Sequence, residues 1–176
     1  VKFPLGIIKI PPNNGFRRCV NLESVDFSTT DGLILDQWAF ASTNDYNNSL
    51  QNLRTVKLGN NMTLSRNTFG YCSGLETVIV TGKTAISDQA FKEAGNTVKL
   101  CVYILSEEGS ITGYPFVNVK TPLEIYTKSS NITKTLFENG STTPYTIYLG
   151  TAHSYKLHTF AATCTEKGYD GYIYTD

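Results

Sequence analysis

Phe16-Arg-Arg-Cys19-Val-Asn-Leu22-Glu-Ser-Val25-Asp-Phe27 and Phe69-Gly-Tyr-Cys72-Ser-Gly-Leu75-Glu-Thr-Val78-Ile-Val80 spell one pattern, F-x-x-C-x-x-L-x-x-V-x-apolar. An intervening unit ends the same way, at Leu53-Arg-Thr-Val56-Lys-Leu58. Working outward, Phe recurs at 16, 40, 69, 91, 116, 137 and 160, with gaps of 24, 29, 22, 25, 21 and 23 residues. Trp38-Ala39-Phe40 and Gln89-Ala90-Phe91 share an Ala-Phe step. A fixed period that carries fixed residue types marks stacked repeats. A β-sandwich with regular turns would alternate polar and apolar residues without that Phe grammar.

Each unit contributes one short strand. Val98-Lys-Leu-Cys-Val-Tyr-Ile104 alternates as a strand does, and Leu123-Glu-Ile125-Tyr126 and Tyr145-Thr-Ile147-Tyr148-Leu149 follow at the expected distances. About five residues before Phe40, Phe69, Phe91, Phe116 and Phe137 stands an Ile or Leu: Leu35, Leu64, Ile86, Ile111 and Ile132. These return segments are too short for a long helix. Loop, 3₁₀ or a single helical turn is expected, with Ser65 and Ser87 placed to cap it. One coil cannot bury both its strand face and its Phe, so coils must stack. The predicted fold is an α/β right-handed solenoid of about six coils with a single parallel β-sheet, short helical, 3₁₀ or irregular returns, and a buried column of Phe. The period lies in the leucine-rich-repeat range of about 20–29 residues. The insertion Thr43-Asn-Asp-Tyr-Asn-Asn-Ser49 is turn chemistry without apolar period and reads as a surface loop. Residues 1–150 form the solenoid. Residues 151–176 form a C-terminal cap or the start of a following module.

The grammar F-x-x-C-x-x-L-x-x-V, with an Ile and Ala-Phe upstream, resembles the BspA-type leucine-rich repeat of bacterial and some protist surface proteins. The resemblance covers roughly residues 7–150 and is densest at 16–27 and 69–80. It implies cell-surface or secreted placement and a role in adhesion or partner binding, and it carries no shared catalytic residues. His158-Thr-Phe-Ala-Ala-Thr-Cys164-Thr-Glu-Lys-Gly168-Tyr resembles the start of a small module found in surface proteins of gut-type bacteria.

Composition points the same way. Only 17% of the 176 residues are charged, against roughly 25% in an average globular domain. Fifteen Lys plus Arg balance fifteen Asp plus Glu, which gives no electrostatic case for nucleic acid or an anionic membrane. No apolar stretch is long enough to span a bilayer. The start VKFPLGIIKIPP, broken by Pro4, does not read as a signal peptide, so any signal is expected elsewhere. A monomer is expected, with no cofactor.

Catalytic grammar is missing. The sequence contains no G-x-S-x-G, phosphate-binding loop, dinucleotide fingerprint or H-E-x-x-H. His153 and His158, five apart, share neither a helix face nor a strand face, and with Cys164 they match no common zinc spacing. Glu107-Glu108 sits in a Gly-Ser loop. Four Asn-x-Ser/Thr triplets, at Asn47, Asn61, Asn131 and Asn139, are about what composition supplies by chance. Cys19 and Cys72 share a repeat position two coils apart, about 9.6 Å at the usual spacing, beyond the roughly 6.8 Å a disulfide spans. Both are expected reduced, buried and inert, and Cys101 free.

The outward column of the sheet reads Ser24 and Asp26, Thr55 and Lys57, Thr77 and Ile79, Cys101 and Tyr103, Glu124 and Tyr126, then Thr146 and Tyr148. It changes from polar to aromatic. Tyr103, Tyr126 and Tyr148, with Tyr172 and Tyr174 as candidates to join them, are the expected binding residues for a protein or carbohydrate partner. The competing expectation is a structural spacer of a larger surface protein, in which these tyrosines only favour the strand conformation. An enzyme is not expected.

Overall fold

Val25, Val56, Val78, Val102 and Ile125 recur once per coil. In the computed structural model they lie side by side in one parallel sheet. The structure describes residues 1–12, 15–16, 19–41, 50–95, 99–106, 110–111, 113–119, 121–129, 132, 145–149, 155–160 and 169–174. Strands are numbered in chain order: β1 Lys9–Ile10, β2 Ser24–Asp26, β3 Ile34–Leu35, β4 Thr55–Leu58, β5 Met62–Leu64, β6 Thr77–Val80 and β7 Thr84–Ile86. They continue with β8 Leu100–Ile104, β9 Ser110–Ile111, β10 Leu123–Thr127, β11 Tyr145–Leu149, β12 Tyr155–Phe160 and β13 Tyr169–Tyr174. The main sheet has six strands in the order β11-β10-β8-β6-β4-β2, and every neighbouring pair is parallel. The molecule is a parallel β-solenoid of about five turns.

The expectation of a single sheet with helical returns is corrected. The returns form a second parallel sheet, β1-β3-β5-β7-β9, and no helix occurs among the described residues. The residues singled out as return apolars, Leu35, Leu64, Ile86 and Ile111, are the in-register column of this sheet. Two physical reasons favour strands here. Met62-Thr-Leu64 and Thr84-Ala-Ile86 alternate buried and half-buried, the period of a strand. A lone helical turn would also leave most of its backbone groups without partners. In a strand they bond between coils: Thr63 N–H to the Leu33 carbonyl at 3.0 Å, Ser65 to Leu35 at 2.9 Å and Ser87 to Leu64 at 3.0 Å.

The Phe corner works by the same rule. Each Phe N–H donates to the carbonyl of the residue that precedes Phe in the next coil. Phe16 reaches Ala39 at 2.9 Å, Phe40 Thr68 at 2.9 Å, Phe69 Ala90 at 2.8 Å and Phe91 Pro115 at 2.8 Å. Trp38, Asn67 and Gln89, each two residues before its Phe, have left-handed φ of 62°, 56° and 59°. The chain therefore turns a tight corner at the place where helical caps were expected.

The Phe column forms as expected. Phe16, Phe40, Phe69, Phe91 and Phe116 stack in turn at centroid spacings of 4.7, 4.9, 5.3 and 5.1 Å. Four of these rings are buried, while Phe16, in the first coil, is only partly so. Phe137 lies outside the described residues. The first coil begins earlier than the repeat grammar suggests. Val1–Phe3 pairs beside β2 through Phe3 N–H to the Asp26 carbonyl and Asp26 N–H to the Val1 carbonyl, at 2.9 and 2.8 Å.

Cys72 is buried as expected, and burial pushes its thiol up to about 12. Cys19 is exposed, against expectation, because it belongs to the first coil and has a covering coil on one side only. Cys19, Cys72 and Cys101 are all free. The segment 43–49 lies outside the described residues. Its flanks Ala41 and Leu50 are both buried, and Leu50 fills the place Cys72 takes in the next coil. The pair β12–β13 is antiparallel and belongs to neither solenoid sheet.

Candidate binding face

In-register parallel strands place equivalent side chains about 4.8 Å apart, so a residue repeated at one outward position becomes a ladder. Tyr103, Tyr126 and Tyr148 are register partners on β8, β10 and β11. Their rings stack, Tyr103 on Tyr126 at 4.9 Å and 12°, and Tyr126 on Tyr148 at 4.7 Å and 11°. The three residues that the sequence singled out are thus brought together as one object.

The two ends of this ladder differ. Beyond Tyr103 the next register position is Ile79. It points away from the core cluster, yet it is 0% exposed. Ile79 was expected to face solvent, and its burial is a correction. It sits in the row between Lys57 and the ladder. Tyr126, held between two rings, is half-buried. Tyr148 ends the row with 43% of its surface exposed.

A polar cluster runs beside the rings. The Tyr126 hydroxyl donates to Glu124 Oε2 at 2.7 Å, and the Lys99 ammonium sits 2.8 Å from the same oxygen. Cys101 Sγ is 4.0 Å from it. Partial burial works against the Glu124 charge, but the Lys99 and Tyr126 bonds outweigh it and hold the carboxyl below its ordinary value. The Glu124 bond raises Lys99. Burial first, and then acceptance by Glu124, pushes the Tyr126 hydroxyl up, so it stays protonated. Burial also raises Cys101, which makes it a poor nucleophile. Glu124 was recognised as outward in the sequence. Lys99 stands in the alternating stretch 98–104 but was not counted in the outward column, and only the stacking of coils brings it onto Glu124.

The polar end of the face is as expected. Ser24 is exposed, and Asp26, Thr55, Lys57 and Thr77 are half-buried. Burial opposes ionisation of Asp26, but bonds from the Ser28 hydroxyl and N–H, at 2.6 and 2.9 Å, prevail and lower its pKa. Tyr172 and Tyr174 lie on β13, in a separate sheet, so the main-sheet row does not extend to them. His153, Cys164 and Glu107-Glu108 lie outside the described residues. Only the backbone of His158 is placed, in β12.

A second aromatic contact escaped the sequence reading. Trp38 lies over Tyr71 at 6.2 Å and 10°, with Lys92 Nζ 5.6 Å from the Tyr71 centroid. Both aromatic residues have left-handed backbones, φ 62° and 63°. Among the described residues, no three His, Cys, Asp or Glu side chains converge to hold a metal ion, and no helix is long and apolar enough to cross a membrane. No protein-family model, curated protein or solved structure matches the chain.

Proposed function

We propose that this chain is a non-enzymatic recognition or adhesion module of a cell-surface or secreted protein, a variant of the BspA-type leucine-rich repeat, which binds its partner on the main-sheet face at Tyr103, Tyr126 and Tyr148. The observation that carries this reading is the tyrosine ladder with an exposed terminal ring. Aromatic rings held rigid in advance supply contact area at little entropic cost. The repeat grammar at 16–27 and 69–80 supports the placement, and the low charge content agrees with it.

The test is a printed array of purified extracellular-matrix proteins and glycans, probed with the wild-type chain and with Tyr148→Ala, with circular dichroism as the folding control. Specific capture that Tyr148→Ala reduces supports the reading. Capture indifferent to that substitution moves the site elsewhere. The absence of any capture favours the spacer reading. That alternative has its own observation: Tyr126 is half-buried between two rings, so the ladder also braces neighbouring coils.

A further inference from the structure

The tyrosine ladder is sealed at one end and open at the other, and this asymmetry restricts what can dock there. Both faces of Tyr126 are taken, by Tyr103 and by Tyr148. Tyr103 is flanked by Tyr126 and, in register on its other side, by the buried Ile79. Tyr148 has one face on Tyr126 and keeps 43% of its surface exposed. A ligand ring that continues the row therefore stacks on Tyr148.

Among the described residues, the side chains beside that row are polar and balance in charge. Thr146, exposed on the same face of β11, is in register with Glu124. Glu124 Oε2 takes the bonds from Tyr126 and Lys99, and Oε1 accepts neither. The Lys99 side chain is 49% exposed, and its charge is cancelled by Glu124. A protein hot spot sits in a well-packed pocket ringed by further contacts that exclude water. Among the described residues, the other large exposed apolar side chains, Val1, Leu5, Ile8, Val20 and Ile34, lie in the first two coils, away from Tyr148. A charged ligand would have to compete with the Lys99–Glu124 pair.

Resting on the reading of this face as a binding surface, we propose that Tyr148 is the stacking platform for a neutral sugar ring, and that the partner is an uncharged oligosaccharide. One face of a pyranose is lined with C–H bonds, whose positive edge suits the negative face of a tyrosine ring. Its rim hydroxyls both donate and accept, and Thr146 Oγ1, Glu124 Oε1 and the Lys99 ammonium together offer both functions.

The experiment is calorimetric titration of the 176-residue chain with soluble oligosaccharides of glucose, mannose, galactose and N-acetylglucosamine. Polygalacturonate fragments serve as the anionic arm. At least one neutral oligosaccharide is expected to bind, with affinity nearly independent of salt. Tyr148→Ala is expected to weaken it by about tenfold or more, whereas Tyr148→Phe, which keeps the ring, retains binding within about threefold. Three outcomes overturn the proposal: no neutral sugar binds, only the anionic fragments bind, or neutral binding survives Tyr148→Ala in a folded variant. The broader reading is separable. If a purified protein is captured and Tyr148→Ala abolishes capture while no sugar binds, the face stands and the sugar does not. If Tyr148→Ala alters nothing, both fall.

Discussion

At the residue scale, Glu124 shows how one side chain organises a face. It takes the Tyr126 hydroxyl and the Lys99 ammonium on one oxygen, and so fixes the middle ring of the ladder. Its folded-state pKa is depressed below the ordinary 4.5. A depressed carboxylate stabilises the fold fully above its unfolded pKa and loses that contribution as pH falls through the folded value. Glu124→Gln should therefore lower stability at neutral pH by on the order of 1 kcal/mol or less, since the pair is partly exposed. The gap from wild type should shrink below 4.5 and vanish in stronger acid. Urea denaturation of both proteins across that pH range measures it. A gap that widens in acid would show that the carboxyl is not held ionised in the fold.

At the element scale, the coil is built of two strands and a corner, and the coils approach each other closely where side chains are smallest. Gly59 follows β4. A Cβ there would overlap the carbonyl oxygens of Phe27 and Thr30 in the preceding coil. Asn60 N–H donates to that same Thr30 carbonyl at 3.2 Å, and Gly59 N–H reaches Met62 Sδ at 2.9 Å. The contact is backbone against backbone, so no side chain can swing away. Gly59→Ala should cost about 1–3 kcal/mol, the usual penalty of overpacking. Thermal melting checks this, and an unchanged melting temperature would mean that neighbouring coils separate freely at this edge.

At the scale of the whole molecule, stability comes from a stack in which each coil is completed by its neighbours. The inward columns of Val and Ile on the main sheet, of Leu and Ile on the second sheet, and of Phe at the corner join in one continuous core. Phe69 lies at the middle of it, stacked on Phe40 and Phe91 at 4.9 and 5.3 Å. Phe69→Ala opens a cavity that the coils on either side cannot collapse without breaking register. It should cost roughly 3–5 kcal/mol in chemical denaturation. A loss below about 1 kcal/mol would mean that the column is not a structural axis.

The sequence by itself determined the repeat, its phase, the main strands and the Phe column, because each rests on periodic side-chain identity. Val25, Val56 and Val78 align on spacing and residue type alone, and so do Tyr103, Tyr126 and Tyr148. The second sheet was not legible. Met62-Thr-Leu64 and Thr84-Ala-Ile86 are three residues long, too short for alternation to be told from a helical turn. Their choice of strand is made by hydrogen bonds to the preceding coil, at Leu33, Leu35 and Leu64. The same dependence on a neighbouring coil hid the polar half of the binding face. Lys99 and Glu124 meet only because two coils stack, and Ile79 is buried in register between Lys57 and Tyr103 of the neighbouring coils. That the tyrosines face outward follows from strand period alone. That they form a ladder with one sealed end and one open end is a property of register between coils, which only the tertiary structure decides.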